Sequence, residues 1–128
     1  MAKSFAPIVE KNGGGHFTML LSVVSLASMP GLAAYNASKA AAWSLAQSLR
    51  ADLAKKNIQV HSVFPGPVDT DMAAAITFAK TSPEDVAKAI VEGVITGTED
   101  IFPDAMAQQV YGGWKADHKA MEKNFASM

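Results

Sequence analysis

The chain has 128 residues, 49% of them apolar, a formal charge of −1 and no cysteine. That length suits a single domain spanning residues 1–128, and the interspersed charge gives no nucleic-acid or membrane surface. Without cysteine there is no disulfide or thiol chemistry, which fits a cytoplasmic setting, and no apolar run is long enough to span a bilayer.

In chain order, AKSFAPIVEKNGGG (residues 2–15) is expected to begin as a helix with Phe5, Ala6, Ile8 and Val9 on one side and Asn12 and Gly13 ending it. Pro7 implies a kink or a later start. HFTMLLSVVS (residues 16–25) is a short run apolar on both faces, the pattern of a buried parallel strand. After the turn SMPGLAA, residues 34–54 predict a long helix that places Tyr35, Lys39, Ala42, Ala46, Leu49 and Leu53 on one face. NIQVHSVFPG (residues 57–66) reads as a second buried strand ended by Pro65 and Gly66, and residues 67–80 as a loop or short-helix excursion. SPEDVAKAIVEGVITGT carries clear helix punctuation: Ser82 as N-cap, Pro83 in the first turn, Glu84 and Asp85 beside it, and Gly97 at the end. EDIFPD (residues 99–104) predicts a brief third strand, and Met106, Val110, Trp114, Met121 and Phe125 form a loose helical stripe in the tail. Strands alternating with helices in this way specify an α/β fold with a parallel sheet and crossover helices.

One pair of residues suggests chemistry. A phenol titrates near 10, too high for an efficient proton relay at neutrality, and a lysine four residues on shares its helical face. Tyr35 and Lys39 stand in that relation, although Tyr-x-x-x-Lys also arises by chance on ordinary helices. The context selects between the two readings. Ser22 closes the first strand thirteen residues before Tyr35, and Pro65 and Gly66 close the next one, so all face the carboxyl-end rim where parallel sheets bind ligands.

Taken together, Ser22, YNASK, the small-residue helix after it and VHSVFPGPVDTDM resemble the short-chain dehydrogenase/reductase family, specifically the C-terminal half of its Rossmann-like, doubly wound fold. The resemblance implies about three parallel strands and an oxidoreductase that uses NAD or NADP on an alcohol or carbonyl substrate. It makes Tyr35 the general acid or base, Lys39 the cation that tunes it and bonds the nicotinamide ribose, and Ser22 the group that polarises the carbonyl. Pro65, Gly66, Val68 and Thr70 would line the cofactor loop, Val68 through its backbone. Ser25 and Ser28 are alternatives to Ser22, read as loop and turn residues.

Other parts of the family pattern are absent from these residues: the glycine-rich strand-to-helix turn, the Asn-Ala-Gly segment and the catalytic asparagine. Gly13, Gly14 and Gly15 follow a helix and precede a strand, the reverse of a phosphate-binding turn, and read as a connector. The alternative reading is therefore a truncated, non-catalytic association module. Without a neighbour the first strand has an open edge, so a homo-oligomer is expected through the first helix, the Tyr35 helix and that edge.

The remaining candidates are bland. His16, His61 and His118 have no ligand spacing and predict no metal site. Asp69 and Asp71 read as loop caps, and Tyr111, Trp114 and Met121 as packing residues. Met72, Ile76 and Phe78 suggest an apolar pocket wall, while the substrate and the choice of NAD or NADP stay open. No nucleophile-elbow motif supports a hydrolase.

Overall fold

The computed structural model describes residues 1–68 and 79–128. The expected site residue Thr70, the pair Asp69 and Asp71, and the expected wall residues Met72, Ile76 and Phe78 lie outside the described residues.

Helix α1 (Ala2–Lys11) runs through Pro7 and ends at Asn12. Gly13 and Gly14, both at positive φ, turn the chain into β1 (Gly15–Leu20), so the glycine triplet is a connector. A Cβ on Gly14 would stand 2.2 Å from the Asn57 carbonyl oxygen, so only glycine fits this close approach. β1 is shorter than the expected strand. Leu21 and Ser22 follow it, and Val23–Ser25 form a turn of 3₁₀ helix with Ser22 as N-cap.

The long helix α2 (Ala33–Ala54) leads into β2 (Ile58–Val63). Helix α3 (Pro83–Thr96) has the expected punctuation: the Ser82 hydroxyl accepts from the Asp85 amide at 3.1 Å, and Gly97 ends the helix in the left-handed region at φ 73°. β3 is only Asp100–Ile101. The tail folds as two helices, α4 (Ala105–Ala116) and α5 (His118–Ala126). Asp117 divides them: it ends α4, and its side chain accepts from the Ala120 amide to begin α5.

The three strands are parallel in the order β1-β2-β3. Ala6 and Val9 of α1 and Ala46, Leu49 and Leu53 of α2 pack with Phe17, Met19, Ile58 and Val60 on one face of the sheet. Strand alternation turns Val63 and Ile101 to the other face, where α3 lies so close that a Cβ on Gly93 would meet Ile101 Cδ1 at 2.5 Å. A second core joins Val23, Val24 and Ala27 to Ala107, Val110 and Phe125, and so fastens the tail beside the carboxyl ends of the strands.

Arg50 ties α2 to the sheet. Its guanidinium donates to the carbonyls of Val60 at 3.1 Å and Glu99 at 3.2 Å and to the Asp100 carboxylate at 3.2 Å. Across the sheet, the Gly15 and Leu21 amides bond to β2-side carbonyls. The backbone groups of His16, Thr18 and Leu20 therefore point to the opposite edge, where no strand pairs among the described residues.

Candidate active site

The rim at the carboxyl ends of β1 and β2 gathers the expected side chains on three supports. Ser22 lies just beyond β1 and is buried; its Oγ accepts from the Val24 amide at 3.3 Å. An acceptor role on that side leaves the hydroxyl hydrogen free to donate.

Tyr35 and Lys39 come from the first turns of α2. Tyr35 is 42% exposed, so the residue is open to a ligand arriving from solvent. The Lys39 ammonium lies 5.7 Å from the Tyr35 ring centroid and donates to the Leu20 carbonyl at 3.1 Å. That carbonyl belongs to the open side of β1, so the lysine bridges the tyrosine helix and the end of the strand. An ammonium has three donors, and this contact uses one.

Two buried side chains hold the start of α2. The Ser25 hydroxyl donates to the Lys39 carbonyl at 3.1 Å, so Ser25 is a brace for the helix. Ser28 is exposed in the turn. Asn36, beside the tyrosine, is buried; its amide nitrogen donates to the Met29 carbonyl at 2.7 Å, while its Oδ1 has no partner among the described residues. The bond sets the entry of the turn into the helix and hence the position of Tyr35.

The third support is the loop after β2. The Pro65 carbonyl accepts from the Val23 amide at 3.1 Å, which places the loop against the residue next to Ser22. Val68 forms an isolated parallel bridge with Thr81, and the Pro67 carbonyl accepts from the Thr81 amide at 3.0 Å. The Gly66 amide donates to Asp104 Oδ2 at 2.8 Å.

Sequence reading missed Asp104, assigning it to the third strand. A signal was present: an aspartate directly before a helical run is an N-cap pattern. It also had no reason to single out Asn36, whose role depends on a turn seven residues away.

His61 is buried, with Nδ1 2.5 Å from the Thr98 carbonyl oxygen and Nε2 2.9 Å from His16 Nδ1. A carbonyl only accepts, so His61 carries a proton on Nδ1, and one of the two rings donates to the other across the contact between His61 Nε2 and His16 Nδ1. This pair lies on β1 and β2 away from the rim. Among the described residues no group of three or more metal-ligating side chains forms. No described helix is long and apolar enough to cross a membrane.

What this rim fits can be judged from its donors. An open phenol, an ammonium with donors to spare and a hydroxyl free to donate suit a carbonyl or alcohol oxygen and a ribose diol. A dinucleotide also needs a cradle for its pyrophosphate, and no strand-to-helix glycine turn of that kind occurs among the described residues. The described residues fit the nicotinamide end of such a cofactor and supply among themselves no holder for the pyrophosphate end.

Comparison with known proteins places these features in context. The family model for short chain dehydrogenases matches residues 1–81. A dehydrogenase/reductase SDR family protein 7-like from Drosophila melanogaster is 34% identical over 111 residues, 86% of this chain and 32% of that protein. Dehydrogenase/reductase SDR family member 4 of Rattus norvegicus is 36% identical over 84 residues, 66% of this chain and 30% of that protein. A short chain dehydrogenase from Burkholderia cenocepacia, solved in complex with NADP, superposes with a TM-score of 0.92 at 32% identity, covering 98% of this chain and 52% of the other. The chain thus spans about a third of these curated relatives and about half of that solved structure.

Proposed function

The chain belongs to the short chain dehydrogenase family, and on that premise we propose that it forms the catalytic half of an NAD- or NADP-dependent oxidoreductase acting on an alcohol or carbonyl substrate. What supports this reading is that Lys39, beside the Tyr35 ring, links the tyrosine helix to the Leu20 carbonyl at the end of β1, two residues before Ser22.

When bound, a nicotinamide dinucleotide supplies or receives the hydride. The chain's own residues handle the oxygen. In the reductive direction Ser22 donates a hydrogen bond from its free hydroxyl hydrogen to the substrate carbonyl, favouring the charge that builds on that oxygen. Tyr35 then delivers its phenolic proton to the same oxygen and is left as a phenolate beside the Lys39 ammonium; in the oxidative direction it takes the proton back. The unused ammonium donors of Lys39 suit the nicotinamide ribose, and Pro65, Gly66, Val68 and Thr70 would line the nicotinamide side.

A second reading is favoured by one specific feature: the absence of a pyrophosphate cradle among the described residues. On that reading the chain keeps the catalytic helix but works as an association module. In either case we propose a homo-oligomer, supported by the exposed Phe5 and Ile8 on α1, Leu45 on α2 and the open edge of β1.

Titration with NADH and NADPH, followed by Trp fluorescence and calorimetry, separates the readings. The enzyme reading expects saturable binding, with Tyr35→Phe binding normally and losing turnover by about 10²–10⁴-fold, the usual contribution of a positioned acid. No binding at millimolar cofactor supports the association module.

A further inference from the structure

We propose that Asp104 is a positioning residue that fixes the orientation of the Pro65–Gly66 peptide relative to Ser22. The inference rests on the reading of this loop as the nicotinamide side of the site. It begins with a single peptide unit held from both ends. The Pro65 carbonyl accepts from the Val23 amide at 3.1 Å, and the amide on the other side of the same peptide, Gly66 N–H, donates to Asp104 Oδ2 at 2.8 Å. The peptide bond is planar and rigid, so anchoring both its groups fixes the plane of the whole unit.

Asp104 is suited to this because its other oxygen is already committed. Oδ1 accepts from the Ala107 amide at 2.8 Å, capping α4, and the residue is only 6% exposed. One carboxylate therefore joins the first turn of α4 to the loop after β2. The contact is tight: a Cβ on Gly66 would stand 3.0 Å from Asp104 Oδ1 and 3.4 Å from Met106 Cβ, so a larger residue here requires its neighbours to give way. One residue upstream, the Phe64 amide donates to the Ile101 carbonyl at 2.9 Å, so the loop leaves the sheet from a fixed point.

At the far end of the clamp lies Val23, adjacent to Ser22. The clamp thus sets the distance and angle between the serine that polarises the substrate oxygen and the loop beside the nicotinamide. A charged acceptor on the Gly66 amide makes this bond stronger than a neutral one. It acts through the peptide and touches no reacting atom.

The test separates capping from clamping. Asp104→Ser keeps a good N-cap for α4, since serine caps about as well as aspartate, but its short side chain does not reach Gly66. Gly66→Ala leaves the charge in place and crowds the same contact. Both are made in the full chain and followed by amide hydrogen exchange and ¹H–¹⁵N spectra, with helix content by circular dichroism and binding by NADPH titration. The expected result is that Asp104→Ser speeds exchange at Gly66 by about ten- to a hundredfold, the scale of one hydrogen bond to a charged group. The Val23 and Ser22 amide signals shift with it, helix content holds, and Gly66→Ala shifts the same signals. Where NADPH binds, its affinity falls in both variants.

The proposal is overturned if the Gly66 and Val23 amides are indifferent to Asp104→Ser, because Asp104 is then only a helix cap. It is equally overturned if the amides respond while NADPH binds both variants as tightly as the parent. If the amides respond and the parent chain itself does not bind NADPH, the clamp stands and the oxidoreductase reading of this chain fails.

Discussion

β1 and β2 are both six-residue strands, paired one to one from Gly15 with Ile58 to Leu20 with Val63, yet their surroundings differ sharply. In β2, Ile58, Val60, His61, Ser62 and Val63 are all buried, leaving only Gln59 outside. In β1 every second residue is exposed, and Leu20 reaches 58%. Their residue types do not explain this, since both runs read as buried strands. The difference lies in what flanks them: among the described residues β2 has a strand on each side and helices on both faces, while β1 has a strand on one side only and its cover on one face. The side chains proposed as catalytic stand at this boundary, with Ser22 and the Leu20 carbonyl at the end of the open strand and the proposed Asp104 clamp on the closed side.

The largest expected effect tests the closed side. Phe64, next after β2, is 1% exposed, meets Trp43 edge-on at 5.5 Å and stacks on Phe102 at 5.0 Å. Phe64→Ala should cost about 3–5 kcal/mol, the range for a buried aromatic truncated to a cavity, read from urea unfolding with Trp43 fluorescence as a second signal. On the open side, Leu20→Ala should cost about 0.5 kcal/mol or less, as for exposed positions generally. Equal losses at the two sites would remove the contrast between the strands.

Much of this architecture was legible in the sequence where local chemistry decides it. Ser82, Pro83 and Gly97 bound α3 because capping and the left-handed turn are properties of those residues themselves. The Tyr35 face of α2 was legible for a similar reason: helical periodicity put Ala46 and Leu53 on one face, and the structure buries both. The open edge of β1 was expected from the family resemblance, but the exposure of His16, Thr18 and Leu20 on one face was not, because apolar letters state a preference for burial and say nothing of what covers a face. Val23–Ser25 read as strand, yet the Ser22 cap and the Pro65 contact turn them into a 3₁₀ turn. The tail stripe was legible but its division was not, since Met106 to Phe125 keep their spacing across the break that Asp117 makes. Asp104 escaped because its second partner, the Gly66 amide, lies thirty-eight positions away.

A middle-sized effect examines the open edge itself. By strand alternation the Thr18 N–H points away from β2, so Thr18→Pro removes an edge donor and no ladder bond between β1 and β2. Where the backbone tolerates the ring, folding stability should change by only about 1 kcal/mol or less, the scale of such proline effects. Association should respond more strongly. If copies pair through this edge, sedimentation velocity at low micromolar concentration shows Thr18→Pro shifting toward monomer, because the ring blocks strand addition. A parent chain that is already a clean monomer sinks the oligomer proposal, and undiminished association of the variant moves the interface from the edge to α1 and α2.

The smallest effect lies on α5, where exposure again decides what an interaction is worth. Phe125 is buried to 1% against Val23, Val24 and Val110, while Glu122 on the same helix pairs with Lys119 at the surface. The Lys119 hydrogen bond, reinforced by its charge, holds the Glu122 carboxyl below the usual carboxylate range. A carboxyl lowered in the folded state contributes stability above its ordinary pKa and loses it as the pH falls through the lowered value. Because the group is fully exposed, solvent screens the pair and the contribution is small. Glu122→Gln should therefore leave the thermal midpoint at neutral pH within experimental scatter of the parent, with any residual difference fading in acid and in high salt. A shift at neutral pH comparable to that of Phe64→Ala would mean that burial does not rank the contacts of this fold, and the contrast between β1 and β2 would lose its basis.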